Sequence, residues 1–172
     1  VKGIREVVEK AGIEVSQIDT VIHGTTLATN ALIERRGAKT AFVTTKGFRD
    51  VIEMRTESRF EQYDLDIVLP APLVGRADRF VLDERMGASG EPLKPLDDAE
   101  VDTLCDKIIT EGYDSVAVGF IHSYLNGAHE RRFRDRLLAK KPDQSVSISS
   151  EVSPQMREFQ RFNTVCANAY VK

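Results

Sequence analysis

The amino-acid sequence predicts an α/β fold in which a largely parallel sheet is layered with helical crossovers. Three observations predict it. Apolar stretches of strand length alternate with amphipathic stretches of helix length over most of the 172 residues, and helical crossovers join parallel neighbours. Residues 115–121 (SVAVGFI) are apolar almost throughout, which suits a strand buried on both faces. No internal repeat, low-complexity tract or flexible linker interrupts the alternation, so residues 1–172 read as a single domain.

The elements follow in chain order. Ile4, Val7, Val8 and Ala11 recur at helical spacing and Gly12 stops them. Residues 18–22 suggest a short strand. Thr25 or Thr26 then caps a helix running through Leu27, Ala31 and Leu32, closed by Gly37. Residues 40–44 (TAFVT) are strand-like, and Gly47-Phe48-Arg49-Asp50 opens a short helix to Met54. Residues 55–78 show no period and contain Pro70 and Pro72, so they read as a long ordered excursion. A strand is expected over 79–85 and a turn over 86–90. Asp97 caps the next helix, with Glu100 three residues on as in a capping box. Its apolar face is Val101, Leu104, Cys105, Ile108 and Ile109. After the buried strand come a helix over about 127–140, a strand over 146–149 and a last helix over 154–171. That helix aligns Met156, Phe159, Cys166 and Tyr170.

Composition narrows the function. Hydrophobic content of 41% with 30% charged residues is ordinary for a globular protein. A net charge of −3, with basic residues interleaved among acids, gives no footprint for nucleic acid. No apolar run has the length of a membrane span, and the N-terminus lacks the pattern of a signal peptide. Cys105 and Cys166 are far apart and form no CxxC pair. This argues against a disulfide framework and a cysteine-based zinc site, with a reducing cytoplasm as the expected location. The chain opens on Val1 and closes on Tyr170-Val171-Lys172, each within a helical pattern. It is therefore expected to be a piece of something longer, cut at both ends.

Two strand-to-helix junctions carry candidate chemistry. In His23-Gly24-Thr25-Thr26-Leu27-Ala28-Thr29-Asn30, a strand tip, a glycine turn and two threonines precede a helix. Free N–H groups and the helix dipole at such a junction favour an anion or a polarised carbonyl. Thr26 and Asn30 lie one turn apart on one helix face; plain capping is the alternative. In the second junction, His122 and Ser123 follow the buried strand, where ligands sit in open α/β sheets. His23 and His122 are thus expected to line one crevice. His129, four residues before Phe133, reads as a satisfied core histidine, and no metal site is expected. A third segment, Ser149-Ser150-Glu151-Val152-Ser153-Pro154, reads as capping. Arg157 and Arg161 at i, i+4 could grip a carboxylate or phosphate, although such pairs are commonly solvated. Arg49, Asp50, Arg59, Tyr63 and Asp64 could form a lid or binding surface. Phosphate-loop, GxGxxG, HExxH and GxSxG motifs are absent.

Read in order, HGTTLATNALIERRGAKTAFVTTKGFRDVIEMR, RFVLDERMGASGEPLKPLD, SVAVGFIHSYLNGAHERR and SSEVSPQMREFQRFNTVCANAYV strongly resemble the hydantoinase A and 5-oxoprolinase family. The resemblance spans about residues 20–171, and its specific motifs are HGTTxxTNALxER, GFRD, FxHSYxNxxHE and SSEVxPxxRE. It implies part of one lobe of an actin-like (ribonuclease H-like) ATPase fold. It also implies ATP- and Mg2+-dependent opening of a hydantoin or 5-oxoproline ring through a phosphorylated amide. His23, Gly24, Thr25, Thr26, Asn30, His122 and Ser123 would bind substrate or phosphate, with a hydantoinase B-type companion subunit as partner. The alternatives are a subunit of an ATP-dependent acetone or acetophenone carboxylase, and a non-catalytic assembly module. The family's opening phosphate loop and second lobe lie outside this chain, so the isolated chain is expected to bind no ATP or Mg2+ and to be inactive. Departures from the family pattern are Gly127 for a usual Pro, Phe60 near an expected Pro, and Phe159, Gln160 and Asn163 for Tyr, Glu and Ser.

Overall fold

The computed structural model describes residues 2–20, 26–56, 61 and 63–172. Its centre is a parallel sheet of β1 (Thr40–Thr45), β2 (Arg79–Leu82), β5 (Ser115–Gly119) and β6 (Ser145–Ile148), in the order β2-β1-β5-β6. The register runs Thr40 opposite Ser115 to Thr44 opposite Gly119, and Ser115 opposite Ser145 to Val118 opposite Ile148. The two central strands, β1 and β5, are buried along their whole length. That is why residues 115–119 carry no polar alternation.

Alternate residues of the strands feed two cores. On one face Ala41, Val43, Val116 and Val118 meet Val101, Leu104, Cys105 and Ile108 of α4 (Asp98–Thr110), with Phe133 and Leu137 of α5 (Ala128–Lys140). On the other, Phe42 and Ala117 meet Ile52 of α3 (Val51–Met54), with Phe162, Val165, Cys166 and Ala169 of α7 (Glu158–Tyr170). This is the layered α/β architecture that the alternation predicts. Burial pushes the Cys105 thiol up to about 11 and the Cys166 thiol higher still, so both are packing groups. No helix among the described residues is long and apolar enough to cross a membrane.

Several elements depart from the sequence expectation, each for a local reason. Residues 18–20 are irregular, and the rest of the expected strand over 18–22 lies outside the described residues. The first helix, α1 (Lys2–Ala11), does end at Gly12 with φ 63°. In contrast α2 (Leu27–Ile33) stops before Gly37, because Arg35 turns left-handed at φ 56° and its guanidinium bonds Ala71 O at 2.6 Å. Gly37 serves a close approach instead: a Cβ there would fall on the Tyr170 ring and carbonyl.

The expected strand over 79–85 ends at Leu82, where the Asp83 N–H turns to the Glu100 carboxylate at 3.2 Å. Residues 85–94 then form an antiparallel hairpin of β3 (Arg85–Met86) and β4 (Pro92–Lys94), not the simple turn expected. The same bond leaves the capping box half made. Asp97 accepts from the N–H groups of Ala99 and Glu100 at 2.8 and 3.0 Å, but Glu100 reaches to Asp83. The expected helix over 154–171 begins four residues late, at Glu158. A short α6 (Ser149–Val152) comes first, Arg157 adopts φ 81°, and α7 begins at Glu158. Met156 is therefore exposed, and the inward face is Phe162, Val165, Cys166 and Ala169.

The carboxyl end of β5 has no room for a side chain on the α7 face. A Cβ on Gly119 would lie 2.6 Å from the Phe162 ring and 3.1 Å from the Phe42 ring. Gly119→Ala is expected to destabilise the fold by roughly 1–3 kcal/mol through this overpacking, read as a lower urea midpoint at unchanged slope. An unchanged midpoint would show that Phe162 is not packed there.

Candidate functional site at the carboxyl edge of the sheet

The strands are parallel, so their carboxyl ends gather on one edge, where α/β proteins bind ligands. Thr45 closes β1, Glu84 lies two residues past β2, Phe120 to Ser123 follow β5, and Ser149 follows β6. Side chains from these four tips, with α5 and α7, form two buried polar networks around the segment after β5.

Glu84 anchors the first network. It is 2% exposed, accepts from the Thr45 hydroxyl through one carboxylate oxygen, and meets His129 Nδ1 at 2.7 Å through the other. Thr45 Oγ1 in turn accepts from the Ile121 N–H at 3.0 Å. His129 is thus a satisfied, buried histidine, as its place on the α5 face suggests.

Glu130 anchors the second network and is fully buried. One oxygen accepts from Phe120 N at 2.9 Å and from the Ser149 hydroxyl at 2.6 Å; the other accepts from Ser150 N at 2.8 Å. Ser149 gives its proton to Glu130, so Ser123 donates in the 3.0 Å Ser123–Ser149 contact. Arg161, also fully buried, donates to Ser149 Oγ at 3.2 Å, Gln155 O at 2.7 Å and Phe120 O at 3.0 Å. Burial pulls the Arg161 pKa below its ordinary value, with Glu158 and Glu130 opposing it. Phe120 is therefore held at both its N–H and its carbonyl, and Ile121 at its N–H.

Between these fixed points His122 takes φ 56°. Left-handed backbone at a non-glycine residue is uncommon and persists where the surroundings impose it. The His122 Nδ1 atom is buried without a hydrogen-bond partner among the described residues. Its ring lies 6.1 Å from that of Tyr124, which in turn lies 5.4 Å from the Arg161 guanidinium. The β3–β4 hairpin is stitched to the same segment by Asn126 Nδ2 on Gly90 O at 2.8 Å. On that hairpin the Glu91 carboxyl is held below its ordinary value by its own backbone N–H and by Ser89, with a smaller pull from His122.

The residues singled out in the sequence are placed differently from one another. His122 stands at the β5 tip, its Nδ1 buried and unbonded among the described residues. Ser123 departs from the expectation that it lines a crevice: it is 2% exposed, because its hydroxyl turns inward to Ser149. Thr26 and Asn30 are exposed on one face of α2, with Asn30 Nδ2 at 3.4 Å from Thr26 Oγ1. His23, Gly24 and Thr25 lie outside the described residues, as does Arg59. Arg157 and Arg161 do not act as an i, i+4 pair, since Arg157 sits outside the helix and Arg161 is buried. Asp50 pairs with Arg76 at 3.0 Å, while Tyr63 is exposed. Gly127, where the resemblance leads one to expect proline, lies under Ser150; a Cβ there would fall on the Ser150 side chain. Sequence reasoning missed Glu84, Glu130 and the burial of Arg161. The signal for Glu130 is its place in the FxHSYxNxxHE motif; Glu84 follows an apolar strand with nothing to separate it from a solvated acid.

A family model described as the hydantoinase/oxoprolinase N-terminal region matches residues 1–140. The caprolactamase alpha subunit of Pseudomonas jessenii is 34% identical over 159 residues, covering 91% of this chain and 23% of its own length. 5-Oxoprolinase 1 of Arabidopsis thaliana is 30% identical, covering 99% of this chain and 16% of its own length. The crystal structure of the ATP-dependent caprolactamase superposes with a TM-score of 0.86 at 32% identity, over 98% of this chain and 25% of that one. Nucleotide-free acetone carboxylase superposes with a TM-score of 0.85 at 23% identity, over 95% of this chain and 25% of that one, a likeness of fold. The chain thus spans a quarter or less of the length of these relatives.

The left-handed turn at His122 has a measurable signature. Alanine normally outranks glycine in stability because it restricts the unfolded chain, yet at positive φ its Cβ is strained. His122→Gly is expected to be more stable than His122→Ala by about 1 kcal/mol, read from urea midpoints. The reverse order would show that residue 122 is not held left-handed.

Proposed function

Because the chain belongs to the hydantoinase/oxoprolinase N-terminal region family, we propose that it serves an ATP-dependent cyclic amidohydrolase. Its proposed substrate is a small ring amide of the hydantoin or 5-oxoproline kind, opened after phosphorylation of the amide oxygen. The observation that carries this reading is the family match over most of the chain, joined by relatives named for two cyclic amides, caprolactam and 5-oxoproline. A companion subunit of the hydantoinase B type and a cytoplasmic location belong to the same proposal. The matched caprolactamase chain is itself a subunit. A ketone carboxylase has weaker support, since acetone carboxylase shares the fold at lower identity.

In this reading the carboxyl edge of the sheet contributes one wall of the substrate crevice. His122 is placed in that wall at the tip of β5, and Thr26 and Asn30 add exposed polar groups on α2. Ser123 acts through Ser149 to position the segment. His23, Gly24 and Thr25 belong to the same proposed wall. Among the described residues no group of three or more His, Cys, Asp or Glu side chains is placed to hold a metal ion. Glu84 and Glu130 are occupied by internal donors. The same proposal assigns ATP and Mg2+ to other parts of a protein of the relatives' length.

In such a protein carrying this chain, Thr26→Ala or Asn30→Ala is expected to lower kcat/KM for the cyclic amide by about tenfold or more. The thermal midpoint should stay nearly unchanged, because both residues are exposed. Wild-type kinetics in both variants would remove α2 from the crevice. The isolated 172-residue chain is expected to release no phosphate from ATP in response to a cyclic amide; stimulated release would contradict the assignment of the nucleotide to other parts.

A further inference from the structure

Four large apolar side chains stand in solvent within one short stretch, 63–69, of the excursion that precedes β2. Tyr63, Leu65 and Val68 are 90%, 92% and 93% exposed, and Leu69 is 41% exposed. Singly exposed apolar residues are ordinary, whereas a run of them in one segment marks an interaction surface. The segment is anchored. Downstream, Val74 is buried in the core with Phe42 and Ile52. Arg35, just past α2, bonds the Ala71 carbonyl at 2.6 Å, and Arg55, at the end of α3, bonds the neighbouring Pro70 carbonyl. Both arginines sit at positive φ, 56° and 62°. Two helix ends thus turn out of regular structure to hold one pair of adjacent carbonyls. Asp64 Oδ1 accepts from Asp66 N at 2.8 Å, which fixes a turn between Tyr63 and Val68.

Charge selects the kind of partner. Glu61, Asp64 and Asp66 are exposed in the same stretch, and none of these carboxylates meets a cation among the described residues. Apolar side chains edged by acids are complemented by an apolar groove with Lys or Arg at its rim. A second copy of this chain offers a poor counterpart. Its basic groove between α4 and α5 is lined by Arg132, Arg136 and Lys140, which are already engaged by Asp98, Asp102 and Asp106. Length points elsewhere. The caprolactamase chain superposes on 98% of this chain, and the match takes up 25% of that polypeptide, so three quarters of it lies outside the match.

We propose that residues 63–69 dock another part of the same polypeptide, in a protein of the relatives' length, through an apolar groove rimmed by basic side chains. The docking rests on the family match and not on the cyclic amide, so it stands or falls apart from the proposed chemistry.

The test is thiol labelling of that full-length protein, purified without any companion subunit and read by mass spectrometry at the substituted positions. Leu65→Cys is compared with Asp143→Cys, a control in the exposed turn after α5. Cys105 and Cys166 are buried and stay silent. In the folded protein Leu65→Cys is expected to react about tenfold or more slowly than Asp143→Cys, and in urea at the same rate. The protection should not change on dilution, and adding Asp64→Lys with Asp66→Lys should remove it. Equal labelling of the two positions in the folded protein overturns the docking. Protection lost on dilution, or gained only with a separate subunit, overturns it too, because the surface then belongs to a second copy or to that subunit. Protection that survives both lysine substitutions overturns the basic rim. Should Leu65→Cys itself loosen the contact, carbodiimide labelling of the wild-type carboxylates decides: Asp66 is expected to react more slowly than Asp143, and equal rates overturn the docking.

Discussion

The carboxyl edge depends on the buried carboxylate of Glu130. It accepts from the main chain beyond β5, the main chain beyond β6 and the hydroxyl of Ser149. A carboxylate stripped of water is tolerated when its lone pairs are filled, and here backbone and hydroxyl donors fill them. Removing it would leave two N–H groups buried without a partner, which is costlier than any single contact suggests. Glu84 repeats the device on the other side, reaching Ile121 through Thr45. With main-chain groups of Phe120 and Ile121 fixed in this way, His122 has little freedom in where to turn.

This arrangement divides the labour within the FxHSYxNxxHE motif. Phe120 supplies the clamped backbone, while His129 and Glu130 belong to the clamps. Ser123 and Asn126 tie the segment to β6 and to the hairpin. His122 is the member whose Nδ1 is left without a partner among the described residues. A motif rich in hydroxyls, imidazoles and a carboxylate therefore invites a catalytic reading for residues that are chiefly structural here. Their polarity satisfies the backbone of a sharp bend at a strand tip, where no helix or strand ladder is available to do so.

The fold was legible because its main elements carry their own signals. The unbroken apolar run after Asp114 marks a central strand, and Asp97 with the apolar face of α4 marks a capped helix. What escaped the sequence was decided by distant side chains. Nothing within residues 79–85 shows that Glu100 will take the N–H of Asp83 and end the strand early. Nothing in the spacing of Arg157 and Arg161 shows that one is buried and the other is lifted off the helix. The site was half legible for the same reason. Strand-to-helix junctions pointed to the carboxyl edge of the sheet, but inward and outward hydroxyls look alike in a sequence. Ser123 was read as facing a ligand, whereas its partner is Ser149.

The hydrogen bonds of Phe120 also carry a timetable. Its N–H is claimed by a residue ten positions downstream, but its carbonyl waits for one forty-one positions downstream. Contacts of long sequence separation form late, because the intervening chain must first be ordered. A ribosome delivering this chain would release the sheet and α5 well before Arg161 emerges. The Phe120 carbonyl would then gain its partner only when α7 seats. The β5 tip is, in that sense, a reporter of the docking of α7.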